Sequence, residues 1–349
     1  MSRARWALTG LERRWDSVLE RRRSGRVPQH FRIVSYGGHG SGDRVVVRGR
    51  VLDDAEPPET IAGESAWAAV RRTAAGFVTN ELRGVPLRVE VGGATADAVS
   101  DDDGYVRVEL RGAHLEAPWT TGTLALAAPY RGIDDARVPV RIRVSDARAE
   151  LGVISDLDDT VLQTGVQRTW SMVRQTLTGS VLTRTAFAGA AELYAALGRT
   201  DGRNPFFYVS SSPWNLHDFL HGFLAHRGFP PGPVLLRDFV VGGHKRDRIE
   251  EVLRTHPDLR FVLIGDSGEH DPEIYAETVR RHPGRVIAVY IREVRLDPGD
   301  GRVEAVTDAW DHEVPFVLAA DSLVVARHLR GLGLLTEADV AAVAAAVRD

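Results

Sequence analysis

Four short clusters along the chain carry residues whose types and spacing could bind a cation or an anion. The first, Asp156-Leu157-Asp158-Asp159-Thr160, closes an apolar run that begins at Leu151. Side chains two apart on an extended backbone share a face, so Asp156 and Asp158 can point into one pocket. There they repel unless a cation or a shared proton joins them, and a hard divalent cation such as Mg²⁺ takes oxygen ligands of this kind. An ordinary Asp-rich turn after a strand has the same appearance. The second cluster, Ser210-Ser211-Ser212, follows the apolar run Phe206–Val209. A hydroxyl just before a helix N-terminus can bind a phosphate oxygen beside backbone N–H groups. Plain helix capping by Ser212 or Asn215 accounts for those residues equally well. The third is Lys245 at the start of a predicted helix, and the fourth is Gly265-Asp266 with Asp271 five residues on. Each cluster is weak alone; their order, always at a strand end or the next helix start, points to one site.

Lys245 stands out by composition. Of the 44 Lys and Arg residues it is the single lysine. A GC-rich genome explains a drift to Arg, but the planar guanidinium fork does not replace a compact ammonium beside a buried anion. A lone surviving lysine is either an accident of sampling or the mark of a place where Arg would not serve.

The elements that must position these residues fall into two regimes. From about residue 30 to 147 the hydrophobic pattern has period two, with predicted strands over 44–52, 85–91, 105–110, 124–130 and 138–144. One amphipathic helix is predicted over 65–80, with Trp67, Val70, Ala74, Phe77 and Val78 on one face. From about 148 onward, short apolar strands (151–155, 206–209, 234–236, 261–264, 286–291) alternate with helices. That rhythm implies a parallel sheet covered on both faces, which binds ligands at the carboxyl ends of its strands. Thr336 with Asp339 looks like a capping pair opening a last helix. The expected organisation is a basic amphipathic helix over 1–28, a β-sandwich-like domain with a helical insertion over 29–147, an α/β domain over 148–335 and a C-terminal helix over 336–349.

With these motifs in place, the chain resembles the haloacid-dehalogenase (HAD) phosphatase superfamily. The runs ISDLDDTVLQTGV, FFYVSSSPWNL and GDSGEHDPEIY are similar, more narrowly, to the App-type, lipin-like phosphatidate phosphatase catalytic domain. His217 and His270 stand where that family's pattern has Tyr and Lys. The resemblance implies an α/β fold with a parallel-sheet, HAD-like Rossmannoid core and a sandwich-like leader domain. It also implies a mechanism: Asp156 as the nucleophile, Asp158 as the acid and then base, and Ser210 and Lys245 on the phosphoryl group. Mg²⁺ would be held by Asp156, Asp266 and the Asp158 carbonyl. Thr160 and Asp271 would support the set, Asp271 by orienting Lys245 or a metal-bound water. Arg292 and Ser211 are candidate substrate contacts. Phosphatidate, yielding diacylglycerol, is the implied substrate.

Composition narrows the alternatives. A content of 43% hydrophobic and 26% charged residues is that of a globular protein, and a net charge of −4 argues against a general nucleic-acid binder. The absence of Cys excludes disulfides, thiolate metal sites and a cysteine nucleophile. No apolar run approaches membrane-span length, and Glu12, Arg13 and Arg14 interrupt any signal-peptide core, so the expected compartment is the cytoplasm. Residues 1–30 carry eight Arg against three acids, which suits either a solvated face or peripheral contact with anionic lipid. The intervals between motifs leave little room for a large cap, favouring an open site for a lipid-borne phosphate, a phosphoprotein or a nucleic-acid end. A non-catalytic scaffold is the remaining alternative. The glycine-rich run Gly37–Gly42 precedes a predicted strand and not a helix, so a nucleotide loop is not expected, and His217 with His221 lacks a third metal ligand.

Overall fold

The computed structural model describes residues 27–54, 80–157, 188–237, 244–267, 270–292 and 306–348. Most of the expected N-terminal helix, most of the helix expected over 65–80, and Asp158, Asp159 and Thr160 lie outside these described residues.

The strands of the first region join into one seven-stranded mixed sheet. They are β1 (Phe31–Ser41), β2 (Arg44–Asp53), β3 (Pro86–Val91), β4 (Ala94–Val99), β5 (Tyr105–Leu110), β6 (Trp119–Leu126) and β7 (Arg137–Val144), in the spatial order β4-β3-β6-β7-β1-β2-β5. All neighbours are antiparallel except β1 and β7. The edge strands β4 and β5 approach each other, so the sheet curls nearly into a barrel around Val45, Val47, Leu87, Val89, Leu124 and Val140. This corrects the expected sandwich of two packed sheets. Strands β1 and β2 are long, and β1 carries an irregularity between Ser35 and Gly38; such bulges raise local twist, letting one sheet cover its own apolar face.

The run Gly37–Ser41 sits inside β1, not in a loop. A Cβ at Gly38 would stand 2.4 Å from the Val46 carbonyl oxygen and one at Gly40 2.6 Å from that of Arg44. These glycines serve close strand approach, which removes the nucleotide-loop possibility on structural grounds.

The second region is α/β. Its strands are β8 (Gly152–Asp156), β9 (Phe206–Pro213), β10 (Val234–Arg237), β11 (Phe261–Asp266), β12 (Val286–Arg292) and β13 (Phe316–Ala319). All pair in parallel, in the order β10-β9-β8-β11-β12-β13. The described helices are α1 (Ala190–Gly198), α2 (His217–His226), α3 (His244–Thr255), α4 (Asp271–Arg281), α5 (Ser322–Gly331) and α6 (Glu337–Arg348). Near-continuous burial of β8, β11 and β12 is what a sheet covered on both faces requires. One face packs Val153, Tyr208, Val262 and Tyr290 under α1, α2, α5 and α6; the other packs Ile154, Phe207, Leu263 and Val289 against α3 and α4. The Thr336 hydroxyl accepts from the Asp339 amide while Asp339 accepts from the Thr336 amide, closing the expected cap of α6.

The strand order reverses between β8 and β11, the first and fourth strands of this sheet in chain order. Open parallel sheets form a crevice outside the strand ends at such a point.

Candidate active site

Three carboxylates meet at that crevice. Asp156 ends β8, Asp266 ends β11 and Asp271 opens α4; all are buried. One oxygen from each lies within 4.8 Å of the others. The ammonium of Lys245, on the first turn of α3, sits 2.7 Å from Asp156 Oδ1 and also pairs with Asp271. The Asp266 amide donates to Asp271 Oδ2 at 3.3 Å. Gly265 makes this possible, because a Cβ there would fall 2.3 Å from Asp271 Oδ2 and 2.8 Å from the Tyr275 ring.

Ser210 is buried within β9, one residue beyond Val209, the register partner of Asp156. Its hydroxyl accepts the Ser212 amide at 3.0 Å. Ser211 stands beside it, half-buried. Arg292 ends β12 in register with Asp266, and its carbonyl accepts from the Ser267 amide. With Asp156, Tyr194, Gly265 and Tyr290 it lines a cavity of about 30 Å³. The structure thus brings Asp156, Lys245, Asp266 and Asp271 into one cluster, with Ser210 and Arg292 on the flanking strands. Asp158 and Thr160 lie outside the described residues. Trp214 is buried and stacked on Tyr36 with ring centroids 4.5 Å apart.

Two contributors were not legible in the sequence. Tyr194, on α1, bonds Ser155 at 2.8 Å and lines the Asp156 cavity. Burial and the nearby Asp156 charge outweigh the Ser155 hydrogen bond and push its hydroxyl up to about 12, so it stays protonated. At helical spacing it looked like any core aromatic. The other is Glu251 on α3, buried and gripped by residues of the first sheet; a Glu in a charged helix carries no sign of burial.

Among known proteins, residues 151–293 match the family model for the catalytic domain of phosphatidate phosphatase APP1. Over that segment the chain is similar to the App-type phosphatidate phosphatase family. The matched segment contains every residue of the cluster just described. The chain is 34% identical over 153 residues to phosphatidate phosphatase APP1 of Saccharomyces cerevisiae, and 31% identical over 160 residues to an uncharacterized protein of Schizosaccharomyces pombe. These alignments cover 41% and 43% of the chain but only 26% of each relative, so the chain spans about a quarter of the length of these relatives. Among solved structures, the FAD/NAD-binding domain of a Vibrio cholerae nitric oxide dioxygenase aligns over 75% of this chain and 98% of its own length. Its 10% identity and TM-score of 0.18 are too low to bear on either fold or function.

The donor set suits a hard divalent cation. Three buried carboxylates lie together, two of them paired with the Lys245 ammonium, and their oxygens are the donors that a hard, oxygen-seeking cation takes. Among the described residues no helix is long and apolar enough to cross a membrane.

Proposed function

We propose that the chain is a Mg²⁺-dependent, HAD-like phosphatase that hydrolyses a phosphate monoester through an aspartyl-phosphate, with phosphatidate as substrate and diacylglycerol as product. The observation that carries this reading is the pairing of Lys245 with both Asp156 and Asp271 at the switch point of a parallel sheet. The App-type match over the same segment supports the lipid substrate.

In this mechanism an Asp156 carboxylate oxygen attacks phosphorus, the new O–P bond forming as the bond to the diacylglycerol oxygen breaks. Asp158, two residues on, gives its proton to that leaving oxygen. It then takes a proton from the water that attacks the aspartyl-phosphate, releasing inorganic phosphate and restoring Asp156. Lys245 lowers the repulsion between the incoming phosphate and Asp156 and balances charge on the transferring group. Asp271 holds the lysine there, and Ser210 donates to a phosphoryl oxygen. Arg292 and Ser211 stand on either side as substrate contacts. Asp156, Asp266 and the Asp158 main-chain carbonyl would hold Mg²⁺, which would polarise the phosphoryl oxygens and neutralise developing charge. The Arg-rich residues 1–28 would rest on the anionic surface that presents the substrate.

The test is phosphate release with Mg²⁺ from phosphatidate vesicles, from glycerol phosphate and from a phosphopeptide, with Asp156→Asn as control. Release from vesicles that is absent in the variant and in chelator is expected. Release only from the soluble esters would keep the chemistry and discard the lipid; no release from any of them would favour a scaffold.

A further inference from the structure

The first sheet is not a passive neighbour of the site. Helix α3 packs on β1 and β2 as well as on the parallel sheet. Its Glu251 accepts Arg48 Nη1 at 2.6 Å, Arg48 Nη2 at 2.7 Å, Arg107 Nε at 2.6 Å and His39 Nε2 at 3.3 Å. Burial would raise this carboxyl, but the hydrogen bonds from His39 and Arg48 and the Arg48 charge hold it well below its ordinary range. The contact continues inward. His39 Nδ1 meets His256 Nε2 at 3.0 Å, and His256 Nδ1 meets the Ser145 hydroxyl at 2.7 Å. One proton arrangement leaves both rings neutral and every contact paired: Ser145 donates to His256, His256 to His39 and His39 to Glu251. Burial lowers both histidines, in keeping with that arrangement.

The same two strands also reach the serine loop. Tyr36 of β1 stacks on Trp214, and Arg50 of β2 donates to Asn215 Oδ1 at 2.7 Å. Trp214 and Asn215 form the turn immediately after Ser210–Pro213. Strands β1 and β2 therefore hold the element after Ser210 and the helix that bears Lys245 at the same time.

We infer that the N-terminal sheet is a positioning platform for the two phosphate-binding groups, with Glu251 as the positioning residue through which Arg48, Arg107 and His39 set the placement of Lys245. Glu251 lies six residues beyond Lys245 on one rigid helix, about 9 Å along its axis. A shift at the clamp is thus transmitted to the ammonium, whose 2.7 Å contact with Asp156 tolerates little displacement. The consequence for turnover rests on the phosphatase proposal; the placement of the lysine does not.

The single lysine supplies the test. Lysine labelled at Cε and Nζ gives one side-chain resonance, from Lys245 alone. It is recorded in the full chain, in Glu251→Gln, in Arg107→Gln and in the control Arg88→Gln, which breaks an exposed pair with Asp97 in the same sheet. Circular dichroism and thermal melting establish which variants fold. The Lys245 resonance is expected to move in both clamp variants and not in the control, with kcat/KM for phosphatidate falling roughly ten- to a hundredfold in the clamp variants. Arg107 is more than a third exposed, so Arg107→Gln carries the test if Glu251→Gln fails to fold. An unmoved Lys245 resonance in a folded clamp variant overturns the inference. If wild type releases no phosphate from any ester, the phosphatase proposal fails while the resonance still decides whether the sheet places the lysine.

Discussion

Lys245 and Asp156 meet at the switch point, the ammonium of one lying 2.7 Å from the carboxylate of the other although 89 positions separate them in the chain. The contact is buried and joined by Asp271, so the charge at this spot is confined to one compact group. Lys245→Met is expected to lower kcat by about 10²–10³-fold, the cost of removing one preorganised electrostatic partner. Lys245→Arg should recover little of it, because the wider, planar guanidinium does not fit between two carboxylates. Initial-rate kinetics on phosphatidate vesicles check both; full activity in the Arg variant would contradict the reading of the lone lysine.

Gly265→Ala probes the packing behind the cluster. The added methyl would meet Asp271 Oδ2 at 2.3 Å and the Asp271 Cβ at 2.9 Å. Asp271 must move, and with it the support of Lys245. A loss of about 1–3 kcal/mol in urea unfolding is expected, together with a fall in phosphatase activity larger than Gly198→Ala produces. At Gly198 a Cβ meets nothing nearer than 3.4 Å.

Metal dependence should appear in stability as well as in rate. A cation held by Asp156 and Asp266 binds only the folded chain, so added Mg²⁺ raises the melting temperature by mass action. Asp266→Asn should abolish most of that rise, and a chelator should remove activity that Mg²⁺ then restores. Differential scanning fluorimetry across a Mg²⁺ series measures it; equal shifts in wild type and variant would place the ion elsewhere.

The interface between the two sheets carries a pH signature. His39 and His256 are held below their ordinary value of 6.5 by burial. Above about pH 6.5 both are neutral in the folded and unfolded chain, and they leave stability unchanged. As pH falls below that, the unfolded chain takes up protons that the folded one refuses, so stability drops. Glu251, held below its ordinary 4.5, adds a second loss only under more acid conditions. Urea midpoints between pH 8 and 5 should decline from about 6.5 downward, and His256→Gln should flatten that decline. A flat wild-type profile would mean the rings are not buried neutral.

The sequence alone picked out positions that the fold gathers at the switch point and the local elements that carry them. Asp156, Ser210, Lys245 and Asp266 could be found because each sits where an apolar strand stops or a helix starts, a signal local to a few residues. The parallel strands of the second region and the Thr336–Asp339 cap were legible for the same reason. Strand β4, with its small residues Ala94, Ala96 and Ala98 facing a half-buried surface, offered only a weak hydrophobic alternation, and β1 was obscured by its glycines. Strand β6 begins at Trp119 and not at Leu124, because pairing with β7 recruits Thr120–Thr123, which intrinsic pattern leaves neutral. What only the tertiary structure decided is which distant residues become neighbours. A single curled sheet in place of a sandwich, Asp271 drawn against Lys245, and Glu251 buried among Arg48, Arg107 and His39 all depend on strand order and on packing between separate elements. Hydrophobic period reports which face of an element is covered, but not by what, and a charged residue on a helix looks the same in sequence whether it meets water or two arginines and a histidine from another sheet.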